Sequence, residues 1–386
     1  MKTIKQSVGA DIAKDKFDAC FSVLTHEQRV VVKASRKFPN SPKGFADLSK
    51  WVSKWADPSV ELLFIMEATG VYHENLAWQL HQAERKVIIV LPNRVKQYTR
   101  SLGHKSKNDK VDAKALAHMG AERNLAPWQP MSCQLYLLRK LTREHEQIHQ
   151  MRTEVSNRLH AETHSMLASK TTQRRLQKTL KLYDMQLQAI EEEIKATVEE
   201  DPLLSDKVEK VTTIKGVGLL TAATVIAETN GFALFTSQKQ LVSYSGYDVV
   251  ENQSGKRNGR TRISKQGNSH IRRILYMPAL HAVRRNVPVF RALYDRLTGK
   301  GKKKMLAYVA VQKKLLILIY TLWKKNEVWN QDRYAQQTPK GDIQSLEAGA
   351  SLSGVSGADK NTVAPTLARA TQDEHPAPIG QELFFR

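Results

Sequence analysis

Four acids, Asp11, Glu67, Asp109 and Asp112, occupy positions from which they could converge on one point. Asp11 is the single acid in the apolar run Val8-Gly9-Ala10-Asp11-Ile12-Ala13. Glu67 closes the strand-like run Val60 to Met66 and is followed by Ala68-Thr69-Gly70. Asp109 and Asp112 lie three residues apart where a helix begins, which puts them on one helix face. A carboxylate in a buried strand is costly unless it is paired or binds a cation. Hard oxygen donors of this kind suit Mg²⁺, with Mn²⁺ as the alternative. On a basic chain the set points to metal-dependent phosphodiester chemistry on nucleic acid. A plainer reading stands beside it: Asp109 and Asp112 as helix N-terminal acids favoured by the dipole, Asp11 at a strand edge and Glu67 opening a helix.

A second candidate centre lies between Tyr244 and Asn268. Ser254 sits in Gln253-Ser254-Gly255-Lys256-Arg257-Asn258-Gly259-Arg260, a glycine-containing loop flanked by cations. A serine hydroxyl attacks only when it is positioned and the developing charge is stabilised. Lys256, Arg257 and Arg260 could orient a phosphate against it, with Lys265, Arg272 and Arg273 as further nucleic-acid contacts. Ser245 and Ser264 are equal candidates on these grounds, and a turn residue is the simpler role for Ser254.

The elements that must position these groups follow from periodicity. Residues 4–24 read as two strands, Phe17, Ala19, Phe21 and Val23 alternating with Asp18, Cys20 and Ser22, and Val30-Val31-Val32 supplies a third. A helix over Pro42–Trp55, a strand over Val60–Met66, a helix near Tyr72–Ala83, a strand over Val87–Leu91 and helices over Pro92–Tyr98 and Asp109–Glu122 complete the segment. Three strands and then alternating strand and helix is the order of a ribonuclease-H-like α/β domain, with antiparallel pairing first and parallel crossovers afterwards.

Residues 131–204 change character. No glycine falls between Gly120 and Gly216, and Leu180, Tyr183, Leu187, Ile190 and Ile194 recur at helical spacing, as do Ile148, Met151, Val155 and Leu159 upstream. Two long helices in a coiled-coil hairpin or dimer arm are expected. Residues 205–334 read as a compact basic helical domain, in which Ile214-Lys215-Gly216-Val217-Gly218 joins two helices by a turn like that of a helix-hairpin-helix unit. Its exposed amides could hold a phosphate, although a tight connection between helices has the same pattern. From residue 335 to 386 Gly, Ser, Ala, Pro, Thr and Gln dominate, the composition of a disordered tail.

Charge narrows the partner. The net charge is +22, and residues 256–304 hold fifteen Lys or Arg against one acid, Asp295. This density calls for a polyanion and for salt-dependent binding. A membrane surface fits less well, because glycines and asparagines interrupt the cations. Cys20 and Cys133, with no Cys/His cluster, argue against a disulfide scaffold or structural zinc. The N-terminus lacks the apolar core of a signal peptide, and the longest apolar stretch, Leu315–Leu322, is too short to span a bilayer. A cytosolic protein is expected.

The pieces Gly9-Ala10-Asp11-Ile12-Ala13-Lys14, Met66-Glu67-Ala68-Thr69-Gly70, Asn108-Asp109-Lys110-Val111-Asp112-Ala113, Ile214-Lys215-Gly216-Val217-Gly218, Gln253-Ser254-Gly255 and Ile263-Ser264-Lys265-Gln266-Gly267-Asn268 resemble, in this order, the DEDD transposases of insertion-sequence family one-ten. Arg272-Arg273-Ile274-Leu275-Tyr276-Met277-Pro278-Ala279 extends the likeness, which covers roughly residues 5–330. Pilin-gene invertases are distant relatives of that family. The resemblance implies that residues 1–130 form a RuvC-like catalytic domain with Asp11, Glu67, Asp109 and Asp112 as its metal ligands, and that Ser254 is the nucleophile. It implies DNA transposition in the bacterial cytoplasm at the nucleoid, acting on donor and target double-stranded DNA. A structured non-coding bridge RNA as guide, and a homo-oligomer, dimer or tetramer, are implied in the same way. A Holliday-junction-resolvase-like nuclease using water, and a non-catalytic nucleic-acid-binding protein, are the alternatives.

Overall fold

Alternation of apolar residues builds the first hairpin. Val8, Ala10 and Ile12 of β1 (Thr3–Ile12) share an apolar core with Phe17, Ala19, Phe21 and Val23 of β2 (Lys16–Thr25). β3 (Val30–Pro39) adds antiparallel to β2. α1 (Pro42–Ser53) opens on Pro42, with the Ser41 hydroxyl accepting the Gly44 N–H. β4 (Leu62–Glu67), α2 (Glu74–Gln82) and β5 (Lys86–Val90) follow, and the sheet order is β3-β2-β1-β4-β5. β1 pairs antiparallel with β2 and parallel with β4, and β4 pairs parallel with β5. This is the ribonuclease-H-like arrangement.

The computed structural model describes residues 2–68, 70–103, 109–251, 253–254, 257–259 and 262–331, without the side chains of residues 109, 110, 253, 257 and 258. Lys256, Arg260 and the expected tail therefore lie outside the described residues. Several element bounds differ from expectation, and two of the differences bear on the sheet. β3 runs on past Val32 to Pro39, because an edge strand needs no alternating burial, and Lys33, Arg36 and Lys37 are exposed on it. β4 takes in Glu67 as its last residue.

α3 (Pro92–Ser101) and α4 (Asp109–Glu122) cover the face of the sheet opposite α1 and α2. α4 lies across β1, β2 and β4. Two glycines allow the approach. A β-carbon on Gly9 would stand 2.2 Å from the Ala117 nitrogen and 2.3 Å from the Ala113 carbonyl oxygen. One on Gly120 would stand 2.2 Å from Ser7 Oγ. Tyr98 of α3 fixes α4 from the side, its hydroxyl donating to Glu122 at 2.5 Å and meeting His118 Nδ1 at 2.8 Å.

Beyond the sheet the chain is helical. α5 (Cys133–Thr163) and α6 (Lys170–Glu199) form an antiparallel hairpin, since His145 meets Glu191 and Arg152 meets Asp184. α7 (Pro202–Thr212) and α8 (Leu219–Glu228) are joined by a turn in which Gly216 takes φ +98°. α9 (Gln238–Tyr244) precedes four two-residue strands, β6 (Val249–Val250), β7 (Gln253–Ser254), β8 (Arg257–Asn258) and β9 (Arg262–Ile263). α10 (Ser269–Ile274), α11 (Tyr276–Arg284), α12 (Pro288–Gly299) and α13 (Lys304–Lys325) complete the region. Residues 249–262 do not belong to the compact unit formed by the described residues on either side of them.

α13 corrects the expectation about apolar length. At 22 residues it is long and apolar enough to cross a bilayer by length and composition. Val311, Leu315, Leu316, Ile319, Leu322 and Trp323 nevertheless belong to the core that α5, α7, α8, α9 and α11 share, which gives that apolarity a packing role.

Candidate functional site at the strand ends and in the serine insert

The parallel ladder between β1 and β4 ends on the pair Ala10 and Met66. Asp11 and Glu67 are the next residues on the two strands, so the two acids stand side by side at the strand ends. The two-residue period puts Asp11 on the same face as Ser7 and Gly9, and Glu67 on the same face as Leu63 and Ile65, the side chains against Gly120 of α4. Both acids therefore face the α4 side of the sheet, and both are half-buried.

The direction of α4 brings its first turn to them. Moving along β1 from Ser7 to Gly9 moves back along α4 from Gly120 to Ala117 and Ala113. The next residue on this face of β1 is Asp11, and the same step along the helix reaches Asp109–Asp112. Asp112 is half-buried, whereas the side chain of Asp109 is not among those described. Asp18 is a fifth acid, which the sequence reading did not single out. It pairs with Asp11 across the β1–β2 ladder and binds Lys37 at 3.4 Å. The β1–β2 register, centred on the short turn at Ala13-Lys14-Asp15, is the signal that marks it.

Half-buried carboxylates from two adjacent strands and one helix fit a hard divalent cation in donor type. Among the described residues no three His, Cys, Asp or Glu side chains form a group that holds an ion as they stand. Asp11, Glu67 and Asp112 are the described residues that would hold it, with Asp109 the fourth.

The three serines are separated by burial. Ser245 is fully buried, and its Oγ has no hydrogen-bond partner among the described residues. Ser264 is partly buried and accepts the Gln266 N–H at 3.3 Å. Ser254 is exposed on β7, where it pairs with Arg257 of β8. Gly255 and Lys256 connect that pair in sequence. Of the three hydroxyls, only that of Ser254 lies on an exposed residue.

The cations divide in the same way. Lys265 is exposed. Arg272 turns inward, and its Nη1 donates to the carbonyl of Ser245 at 2.8 Å and of Asn268 at 3.2 Å. Arg273 donates to Glu146 of α5, which also binds His270. These two arginines are placed as braces for the segment around them. The residue most deeply placed among them is Glu228, the last of α8, with a side chain 1% exposed. Arg143 of α5 grips it with two hydrogen bonds, of 2.6 and 2.9 Å, and the Asn268 amide donates to it at 2.6 Å. Burial opposes the charge of Glu228, but the hydrogen bonds and charge of Arg143 outweigh it and hold the carboxyl below its ordinary range. Sequence reasoning missed this group; its signal is a lone acid ending the apolar helix Leu219–Glu228.

Comparison with known proteins covers both parts of the chain. The IS110-type DEDD transposase family model matches residues 8–167, and that of the transposase IS116/IS110/IS902 family matches residues 208–295. The chain is 31% identical to the pilin gene-inverting protein of Moraxella lacunata over 83% of its own length and 97% of that protein. It is 25% identical to the transposase for insertion sequence element IS1111A of Coxiella burnetii, over 85% of this chain and 92% of that one. Among solved structures, Thermus thermophilus RuvC in complex with a Holliday junction substrate aligns over 32% of this chain and 99% of its own, at 14% identity and a TM-score of 0.24.

Proposed function

The chain belongs to the IS110 family of DEDD transposases, enzymes that act on DNA, and from that premise we propose that it cleaves and rejoins DNA at the ends of a mobile element and at a target, using Ser254 as nucleophile together with a Mg²⁺-binding acid site. The observation that carries this reading is the alignment of Asp11 and Glu67 at adjacent strand ends, on the face where α4 begins with Asp109 and Asp112.

In this reading Asp11, Glu67, Asp109 and Asp112 hold the cation. When bound it supplies positive charge that polarises the scissile phosphate and favours the leaving oxygen. The Ser254 Oγ attacks phosphorus and gives up its proton to solvent. The bond to the 3′ oxygen breaks, and that oxygen leaves as a hydroxyl. The product is a phosphoserine ester that carries the 5′ end. Attack on this ester by another 3′-hydroxyl regenerates Ser254 and joins the strands, so no external energy source is needed. Exposed cations such as Lys265 would hold backbone phosphates.

Residues 1–130 work as the RuvC-like domain, 131–204 as a coiled-coil arm that brings copies together, and 205–334 as the basic domain with its helix-hairpin-helix-like turn. The partners are donor and target DNA and a structured non-coding guide RNA. The fifteen-to-one charge bias of residues 256–304 supports polyanion binding. The enzyme works in the cytoplasm.

The test uses a plasmid carrying the gene with its native flanking DNA, transcribed so that any encoded RNA is present. Asp11→Asn and Glu67→Gln should each abolish recombination while nucleic-acid binding persists. Ser254→Ala should remove the detergent-stable protein–DNA adduct, and Ser264→Ala should keep it. Mg²⁺-dependent cleavage with no adduct from any variant, wild type included, establishes hydrolysis by water instead.

A further inference from the structure

The segment bearing Ser254 leaves the helical core at Asp248 and returns at Ile263, and its two ends are drawn together within the core. The Ser264 N–H donates to the Asp248 carbonyl at 2.7 Å, that of Lys265 to Gly246 at 3.1 Å, and that of Asn268 to Tyr244 at 2.8 Å. Contact is so close that a β-carbon on Gly267 would stand 2.3 Å from the Tyr244 carbonyl oxygen. Gly246 takes φ +71°, and a β-carbon there would meet Arg272 Nη1 at 2.7 Å.

One buried carboxylate ties this neck to a distant helix. Asn268 uses its side-chain oxygen to cap α10, accepting the Ile271 N–H at 3.2 Å, and its amide to bind Glu228. Tyr244, at the other end of the neck, donates its hydroxyl to the Glu228 carbonyl at 2.9 Å. Glu228 is held in turn by both hydrogen bonds from Arg143 on α5. Tyr244 and Asn268, on the two sides of the neck, thus bond to the same residue, Tyr244 to its backbone carbonyl and Asn268 to its carboxylate. A carboxylate suits the task, because its two oxygens accept from Arg143 and Asn268 together, and its charge in a buried place enforces the pairing.

We propose that Glu228, with Arg143 and Asn268, is a positioning residue for the strand-transfer reaction: it fixes the neck from which the Ser254 insert departs and so sets how often the serine meets its phosphate. This inference rests on the reading of Ser254 as nucleophile. Small displacements of a reacting group slow attack steeply, by up to about a hundred-fold for about 1 Å.

The experiment measures the rate of adduct formation on the same plasmid as a function of plasmid concentration, with Glu228→Gln and the double variant Arg143→Gln/Glu228→Gln. The expected result is a fall of about ten- to a hundred-fold in the rate at saturating plasmid, with the half-saturating concentration unchanged. The double variant should be no slower than Glu228→Gln, because the two residues act as one unit. Loss of fold would instead lower active protein and rate together, and melting curves report it. Should Glu228→Gln not fold, the double variant leaves neither charge buried alone and decides the matter: slow adduct formation supports the proposal, and a wild-type rate overturns it. An unchanged rate in folded Glu228→Gln also overturns it. Absence of any adduct in the wild type brings down the serine reading and this inference together, a result distinct from an adduct formed at unchanged rate.

Discussion

Gly9 of β1 lies directly under Ala117 of α4, with no room for a side chain between strand and helix. That contact sets the height of α4 over the sheet, and with it the place of Asp112 relative to Asp11. Gly9→Ala must push the two backbones apart. The expected loss is about 1–3 kcal/mol of stability, together with loss of DNA cleavage. Gly299→Ala is the control, since its added carbon meets nothing within 4 Å and it sits at a helix end. Chemical denaturation of the two variants checks the prediction; equal midpoints would refute the close contact.

The inward turn of Arg272 changes what its replacement should do. Arg272→Ala removes two hydrogen bonds from a charged group to backbone carbonyls. Stability should fall by about 1.5–3 kcal/mol, with little change in the salt slope of nucleic-acid binding. Lys303 and Lys304, exposed where α13 begins, should behave in the opposite way. Their replacement by Gln should leave the melt unchanged and flatten the slope by about 0.9 per lost phosphate contact. Binding titrations at several salt concentrations distinguish the two classes.

Acid should weaken the fold through Glu228 and Glu146. Burial raises the pKa of each, but Arg143 and Asn268 at Glu228, and His270 and Arg273 at Glu146, more than reverse it, so both lie below the ordinary 4.5. The unfolded chain then binds protons that the folded chain refuses. Stability from these groups is full above about pH 4.5 and is lost as pH falls from there through the folded values. Unfolding free energies measured from pH 6 down to about pH 3 should decline less steeply for Glu228→Gln than for the wild type.

Oligomer formation through the helical hairpin has a direct test. Met151, Leu182 and Met185 are exposed on α5 and α6, at 40%, 47% and 54%. Leu182→Glu with Met185→Glu should lower the mass measured by light scattering and leave helix content unchanged. An unaltered mass assigns any self-association to another face.

Local signals made most of the sheet legible. Asp11 and Glu67 could be placed at strand positions because each sits within or at the end of an apolar run, and the strand–helix alternation after them fixes the parallel crossovers. β3 reads short in the sequence because Lys33, Arg36 and Lys37 erase its alternation on an edge where burial is not required. The approach of α4 was illegible: Gly9 and Ala117 are far apart in sequence, and a glycine in a strand states no partner. Arg143 and Glu228 are separated by 85 residues, so no window of periodicity joins them. The basic segment shows its charge but not its direction: the sequence groups Arg272 with the surface cations although its guanidinium bonds inward, and it gives no sign that exposed Arg273 pairs with Glu146.

The same cations that blur β3 in the sequence guard the sheet. Among the described strands β3 borders only β2, which leaves its outer edge unpaired within that sheet. Lys33, Arg36 and Lys37 on that border bring like charges together whenever two copies meet edge to edge. The edge thereby discourages assembly by sheet extension. Removing these charges should promote precipitation.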